Sequence, residues 1–336
     1  MTGEARAPAR RRLAVIGTLV WDRIVDRDPL RAPVEEWGGI AYALGGFAAG
    51  LPEGWDVVPL FKVGRDLGES ALRFLHGVPR VVIGPGVQLV PEPNNRVDLR
   101  YLDRDRRTER LTGGVPPWTW AELAPLLSDC DALYVNFISG MEMEVDTAMA
   151  IRTEFPGPTY ADLHSLFLGV SKAGLRVPQL LPSWGKWLRS FDAVQVNEDE
   201  FALLGRQYGD PWELAADVVG PDLKLIAVTL GGEGSAYVAG SGFRADPATW
   251  PELRRRVAVP GPATSRKIPR TREPVEGDPT GCGDVWGASF FSRLLARDPL
   301  EAAMEFANET AARNVTFRGA RGLHLHLRGR LSPLEE

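Results

Sequence analysis

Short runs of Val, Ile and Leu recur along the chain, separated by stretches in which apolar residues stand three and four apart. Leu13 to Val20, Val57 to Val63, Val81 to Ile83, Ala132 to Ile138, Ala193 to Val196 and Leu225 to Leu230 are nearly continuous apolar runs. Runs of this kind predict strands buried on both faces, as in a parallel sheet. Helical spacing marks Leu67 to Leu75, Trp120 to Leu127, Val145 to Phe155, Glu198 to Leu204, Pro211 to Val219, Val285 to Ala296 and Leu300 to Val315. Strand alternating with helix predicts the α/β class: a doubly wound, mainly parallel sheet with helices on both faces.

One segment has a different period. Arg96 to Leu102 reads Arg-Val-Asp-Leu-Arg-Tyr-Leu, polar and apolar in strict alternation, which predicts a strand with one wet face. A charged turn, Asp103 to Arg107, and a second short run through Leu111 complete a hairpin standing off the main sheet. Such a hairpin is either an inert edge or a lid over a site.

Composition narrows the function classes. Of 336 residues, 44% are apolar and 25% charged, the balance of a globular protein with a well-buried core. Thirty-nine Lys and Arg against 44 Asp and Glu leave a net charge of −5, which excludes a global nucleic-acid-binding surface. Two cysteines, Cys130 and Cys282, are too few for a disulfide framework or a four-thiolate zinc site. No apolar stretch approaches the ~20 residues of a membrane span, and no signal-peptide pattern is present. A cytoplasmic protein with no membrane partner is expected. Residues 1–12, with four arginines, read as a flexible, solvated tail. Seven cations between Arg254 and Arg272, interspersed with Pro260, Pro262 and Pro269, read as a solvated loop, with attraction of a polyphosphate as the alternative.

The chemistry is concentrated in Asp278-Pro279-Thr280-Gly281-Cys282-Gly283-Asp284, ahead of the helical run from Val285. Gly281 and Gly283 leave the backbone unobstructed, so amide groups around Cys282 can converge on an anion. The helix that follows adds its free N–H groups and dipole. An acid at the mouth of an anion site is repelled by the ligand, and its presence calls for a reason. Accepting the proton of an attacking hydroxyl is such a reason for Asp284; a helix cap is the alternative. Farther upstream, Asn197 and Glu200 stand three apart where a strand passes into a helix, so both can face one site. Oxygen ligands of this type suit Mg²⁺ through its waters, with a capping arrangement as the alternative.

In these residues the sequence resembles the ribokinase/PfkB family of carbohydrate kinases. The heptad is similar to that family's C-terminal signature. The resemblance implies that Asp284 is the catalytic base and that Gly281, Cys282 and Gly283 form the anion hole. Gly17 to Asp22 is similar to the end of the family's first strand and implies Asp22 on substrate hydroxyls. Gly38-Gly39, then Gly45-Gly46, resembles the diglycine motif lining the sugar site. Val63-Gly64-Arg65-Asp66-Leu67-Gly68 matches the family's Val-Gly-x-Asp-x-x-Gly loop. Asn197-Glu198-Asp199-Glu200 is similar to the Asn-x-x-Glu motif associated with Mg²⁺ and the phosphates. Val228 to Gly234, through Thr229 and Gly231, is similar to the strand and loop that approach the nucleotide, and Ala307-Asn308 resembles the border of the adenine pocket. A monovalent cation, K⁺, near Asp278 and Thr280 is implied as well.

Three departures stand out, of which the first and last bear on substrate identity. Ala43 stands where the family often has a substrate-binding Asn. Arg272 to Gly277 replaces the usual apolar strand before the heptad. Asp162-Leu163-His164-Ser165 sits where many relatives carry a different Asp-containing motif. His164 is read as a structural histidine with no acid–base role. His324-Leu325-His326 alternates as a strand does and is not read as a metal site.

The resemblance implies a ribokinase-like fold with a small β lid at about 96–111, in a single kinase domain over 13–330. It implies an ATP- and Mg²⁺-dependent phosphotransferase that carries the γ-phosphate to a hydroxyl of a sugar, polyol or nucleoside. In relatives the lid can mediate dimerisation, so a homodimer through the lid belongs to the same expectation. The alternative is a non-catalytic sugar- or nucleotide-binding sensor or assembly protein on the same fold. An intact Asp284 beside Gly281 and Gly283 favours the enzyme.

Overall fold

Alternate residues of the central strands enter different apolar clusters. In the strand Arg11–Ile16, Leu13 and Val15 join one cluster, and Ala14 and Ile16 join another. Leu225–Thr229 divides in the same way, Leu225 and Ala227 from Ile226 and Val228. A sheet apolar on both faces needs cover on both. Helices Ile40–Gly50, Cys282–Leu295 and Leu300–Asn314 supply one layer; Trp120–Leu127, Val145–Glu154, Glu198–Arg206 and Pro211–Val218 supply the other. The computed structural model describes residues 10–25, 32–101, 107–206, 208–255, 261–270 and 277–332.

The main sheet has nine strands. From one edge they are Thr264–Ile268, Ser235–Ala239, Leu225–Thr229, Ala193–Asn197, Thr159–Asp162, Ala132–Asn136, Arg11–Ile16, Trp55–Gly64 and Val87–Val90. Only the first two run antiparallel to their neighbours; the remaining pairings are parallel. The order reverses direction between Arg11–Ile16 and its neighbours, which places a crevice at the carboxyl ends of the central strands.

The expected hairpin is present. Arg96–Tyr101 pairs antiparallel with Arg107–Thr112, and both belong to a four-stranded lid sheet with Val34–Gly39 and Leu19–Val25. The expected turn at Asp103 to Arg107 lies largely outside the described residues, as does the departure at Arg272 to Gly277. Val20, Ile24, Val97, Leu99 and Leu111 are buried under the lid. Its other face carries Arg23 paired with Glu35 and Asp98, and Trp21 Nε1 donating to Glu35. A second copy seated on that face would meet charge.

Several elements differ from the sequence pattern. The run Leu13 to Val20 is not one strand. At Gly17, where a Cβ would lie 2.7 Å from Ile40 Cδ1, the chain leaves the main sheet, and Leu19–Val25 belongs to the lid. The main-sheet strand begins at Arg11, within the segment expected as a tail, and Arg10 donates to Asp56. Val81 to Ile83 makes only the single bridge Val57–Val81, with Val82 44% exposed, because three residues are too few to be covered on both faces. His324-Leu325-His326 lies in the short helix Leu323–Leu327, launched by left-handed Gly322. Among the described residues no helix is long and apolar enough to cross a membrane.

Candidate active site

Four polar residues end adjacent parallel strands. Asn136 ends Ala132–Asn136, Asp162 ends Thr159–Asp162, Asn197 ends Ala193–Asn197 and Thr229 ends Leu225–Thr229. The register sets them side by side: Asn136 opposite Asp162, Asp162 opposite Gln195, and Asn197 opposite Thr229. Above this row lies a cavity of about 300 Å³. One wall is the lid, through Asp22, Val97, Leu99 and Glu109; the other is the turn Pro279 to Asp284. Arg176 closes a corner from the hairpin Leu168–Val170 and Arg176–Pro178, donating to the carbonyls of Ile138 and Ser139. That hairpin meets the lid where Leu111 N donates to Gly174 O.

The turn is shaped by Gly281. It is left-handed, φ +75°, and a Cβ there would lie 2.2 Å from Tyr42 Cγ, so only glycine fits. Helix Cys282–Leu295 begins directly after it, one turn earlier than the apolar spacing suggests. Cys282 N donates to Pro279 O, closing the turn. The amides of Gly281 and Gly283 make no hydrogen bond to the described residues, and they are the donors left for an anion. The Cys282 amide, bonded to Pro279 O, is not open to an anion in this geometry. Its thiol lies against Ala311 O and Asn314, raised to about 11 by burial.

Asp284 sits in the first helical turn and lines the cavity. Its Oδ1 accepts from Asn136 Nδ2 at 2.7 Å. Gly281 holds the N-cap position and Asp284 is the third residue of the helix, so Asp284 is not the N-cap residue. Across the cavity, the Asp22 carboxylate lies against Gly38, where a Cβ would come within 1.6 Å of Oδ2. The diglycine is therefore needed to admit Asp22, while Gly39 itself lines the cavity.

Asn197 and Glu200 form a closed pair. Glu200 Oε2 accepts from Asn197 N at 2.8 Å, Glu200 Oε1 accepts from Asn197 Nδ2 at 2.6 Å, and Glu200 N donates to Asn197 Oδ1. His164 Nδ1 adds a 2.6 Å contact to Glu200 Oε1. His164 therefore faces the cavity beside a carboxylate, which the sequence reading did not give it. Burial alone would lower its pKa, but Glu200 raises it above the usual histidine range. Behind them, Gln195 donates to Asp162 Oδ2 and Gly283 O and accepts from Tyr160. Burial raises Asp162 to about 8, with Glu200 and Asp284 adding to the effect against His164. The Glu200 carboxylate, already holding three donors, fits Mg²⁺ through a water and not as a bare ligand. Among the described residues no group of three His, Cys, Asp or Glu could hold a metal.

Thr229 and Gly231 line the cavity. Gly234 and Asn308 do not: Asn308 is 8% exposed, accepts from Trp286 Nε1 and donates to Ile268 O. Asp278 and Thr280 lie together, Thr280 N donating to Asp278 Oδ1 while Thr280 O accepts from Asn314 Nδ2. Asn136, Gln195, Tyr42, Arg176 and Glu109 were not singled out in the sequence. Asn136 carried a signal, a lone polar residue within an apolar strand run; Tyr42 and Arg176 carried none.

Residues 173–325 match a family model described as pfkB family carbohydrate kinase. Among solved structures, the chain is similar to a pyrophosphate-dependent kinase in the ribokinase family complexed with a pyrophosphate analog and myo-inositol. The identity is 18% and the TM-score 0.69, over 94% of this chain and 99% of that one. It is similar to a nucleoside kinase from Burkholderia thailandensis in complex with inosine, at 15% identity and TM-score 0.67, over 95% and 97%. A ribokinase from Cryptococcus neoformans in complex with ADP aligns at 16% identity and TM-score 0.67, over 96% and 100%. No curated protein matches.

Proposed function

We propose, from a ribokinase-like fold and from the match of residues 173–325 to a family model described as pfkB family carbohydrate kinase, that the protein is a kinase transferring the γ-phosphate of ATP to a hydroxyl of a small polyhydroxylated acceptor. The observation that carries this is the position of Asp284. It lines one cavity with Asp22 and with the open amides of Gly281 and Gly283, and is oriented from behind by Asn136.

The acceptor enters between the lid and the strand ends, where Asp22 accepts its hydroxyl hydrogens. Asp284 takes the proton from the attacking hydroxyl. The amides of Gly281 and Gly283, with the helix behind them, hold phosphoryl oxygens as charge moves toward the leaving group. Glu200, held by Asn197 and His164, would hold Mg²⁺ through a water, and the ion when bound would neutralise phosphate charge. Thr229 and Gly231 border the donor. A monovalent cation near Asp278 and Thr280 would meet a Thr280 carbonyl that already accepts from Asn314 Nδ2, and the proposal does not rely on one.

A second donor, pyrophosphate, is favoured by one specific observation. Both ends of the Asn308 amide are engaged within the protein, while Lys267 and Arg270 flank the loop at Gly231, bonding Glu233 and Gly232 O. Cations close to the loop at Gly231 suit a donor that is all phosphate.

The test is a panel: D-ribose, myo-inositol and inosine, each with ATP or with pyrophosphate, followed by release of ADP or phosphate. Turnover of one acceptor supports the proposal and names the donor. Thermal stabilisation without turnover by any of them would replace it with a binding protein.

A further inference from the structure

Buried tyrosine hydroxyls usually find a partner. Tyr160 donates to Gln195 and Tyr237 to Glu301, both at 2.8 Å. Tyr42, 2% exposed, makes no hydrogen bond to any described residue, although it lines the same cavity as Asp22 and Asp284. Its ring is fixed in the first turn of helix Ile40–Gly50 against the backbone of Gly281. The ring is thus held where lid, anion turn and base meet around the cavity. Next to it Ala43 is fully buried and has no polar group to offer.

Carboxylates dominate its surroundings. Burial first, and then Glu36, Asp22, Asp278 and Asp284, push the phenol far above its ordinary pKa, so it stays a neutral donor. The side chains lining the acceptor half otherwise supply acceptors, Asp22 and Glu109, with Arg176 already donating to two carbonyls. A ligand rich in hydroxyls has oxygens that need donors as well as hydrogens that need acceptors. A tyrosine that lines the cavity with no partner for its hydroxyl among the described residues has that donor left for a ligand oxygen.

We infer that Tyr42 is a specificity-determining residue, its hydroxyl donating to an oxygen of the acceptor while Asp22 accepts from a neighbouring hydroxyl. This deepens the kinase reading of the cavity and rests on it. A neutral donor beside the Asp22 carboxylate suits an acceptor that offers both an oxygen and a hydroxyl hydrogen at neighbouring positions.

Tyr42→Phe removes only the oxygen. With whichever of D-ribose, myo-inositol and inosine the wild type phosphorylates fastest, kcat/KM should fall about 3- to 10-fold, chiefly through KM. The melting temperature of the free protein should hold or rise, since no internal bond is lost. Monodeoxy analogues of that acceptor supply the second measurement: at the contacted position the loss from the analogue and from Tyr42→Phe should not add. Unchanged kinetic constants in Tyr42→Phe, or additive losses at every position, overturn the inference while leaving the kinase standing. A wild type inactive on all three acceptors with both donors overturns the kinase reading itself.

Discussion

Asn136 Nδ2 donates to Asp284 Oδ1 across 2.7 Å, joining the end of a central strand to the first turn of helix Cys282–Leu295. Asn136 is fully buried, so its amide is held by the strand and in turn fixes one oxygen of the carboxylate. A base that must meet a hydroxyl in line gains from such restraint. A hydrogen bond to a charged group is worth about 1.5–3 kcal/mol. Asn136→Ala should therefore lower kcat by about 10-fold or more while changing acceptor KM less than about twofold. Steady-state kinetics on the best acceptor of the panel decides it; an unchanged kcat would make the contact incidental.

The lid is predicted to respond to pH through Glu36, on the strand Val34–Gly39. Its Oε1 is buried with no hydrogen-bond partner among the described residues. Burial, and then Asp278, raise it from 4.5 to about 7, against Arg318 and Arg321. Because the folded pKa lies above the unfolded one, the protonated form suits the fold. That contribution is complete below about pH 4.5 and is lost as pH rises through about 7. Glu36→Gln keeps the shape without the charge and should stabilise the protein at pH 8 by about 1–2 kcal/mol, roughly 2–4 °C. At pH 5 it should do almost nothing. Melting curves at the two pH values test this, and equal shifts at both would remove Glu36 as the cause.

At the other end of the sheet, Asp192 has the opposite sign. Its carboxylate accepts from Arg152 and Lys224 at 2.8 and 2.9 Å, from Arg254, and from Thr159 N at 2.9 Å. Burial alone would raise its pKa, but the three cations hold it far below the usual carboxylate range. Its stabilisation is present above about pH 4 and is lost as pH falls. Asp192→Asn leaves three cations around a neutral group, at a cost on the order of 3–5 kcal/mol. A melting temperature lower by about 5 °C or more is expected at pH 7, with kcat and KM at 25 °C unchanged. Loss of activity without loss of stability would contradict the purely structural role.

The sequence pattern reached the central strands because their apolar runs are nearly uninterrupted, and singled out Asp284 because two glycines precede it within a recognisable heptad. It misjudged Leu13 to Val20, where a single glycine among apolar residues hides a change of sheet. The edge strand Thr264–Ile268, exposed at four of its five positions, has no period to read. Tyr42 and His164 escaped for another reason. Each looks like an ordinary helix or loop residue until the fold brings Gly281 against one and Glu200 against the other. Contacts between segments far apart in the chain leave no local pattern.

The sharpest prediction concerns Asp284 itself. Asp284→Asn preserves shape and can still receive the Asn136 amide hydrogen, but it cannot accept a proton from the attacking hydroxyl. A general base contributes about 10²–10⁴-fold, roughly 3–5 kcal/mol of barrier. The variant's kcat should fall by about that factor, with donor affinity and melting temperature nearly those of the wild type. If Asp284 served only the helix terminus, Asp284→Asn would keep its kcat, and Asp284→Ala would lose about 1 kcal/mol of stability. Here the carboxylate lines the cavity and takes the hydrogen of the buried Asn136 amide, so Asp284→Ala should be as inactive as Asp284→Asn and, with that amide left unpaired, should melt below it. Measuring kcat, donor affinity and melting temperature for both variants separates the two roles. A fully active Asp284→Asn would leave the cavity without a base, and the proposed phosphoryl transfer without its first step.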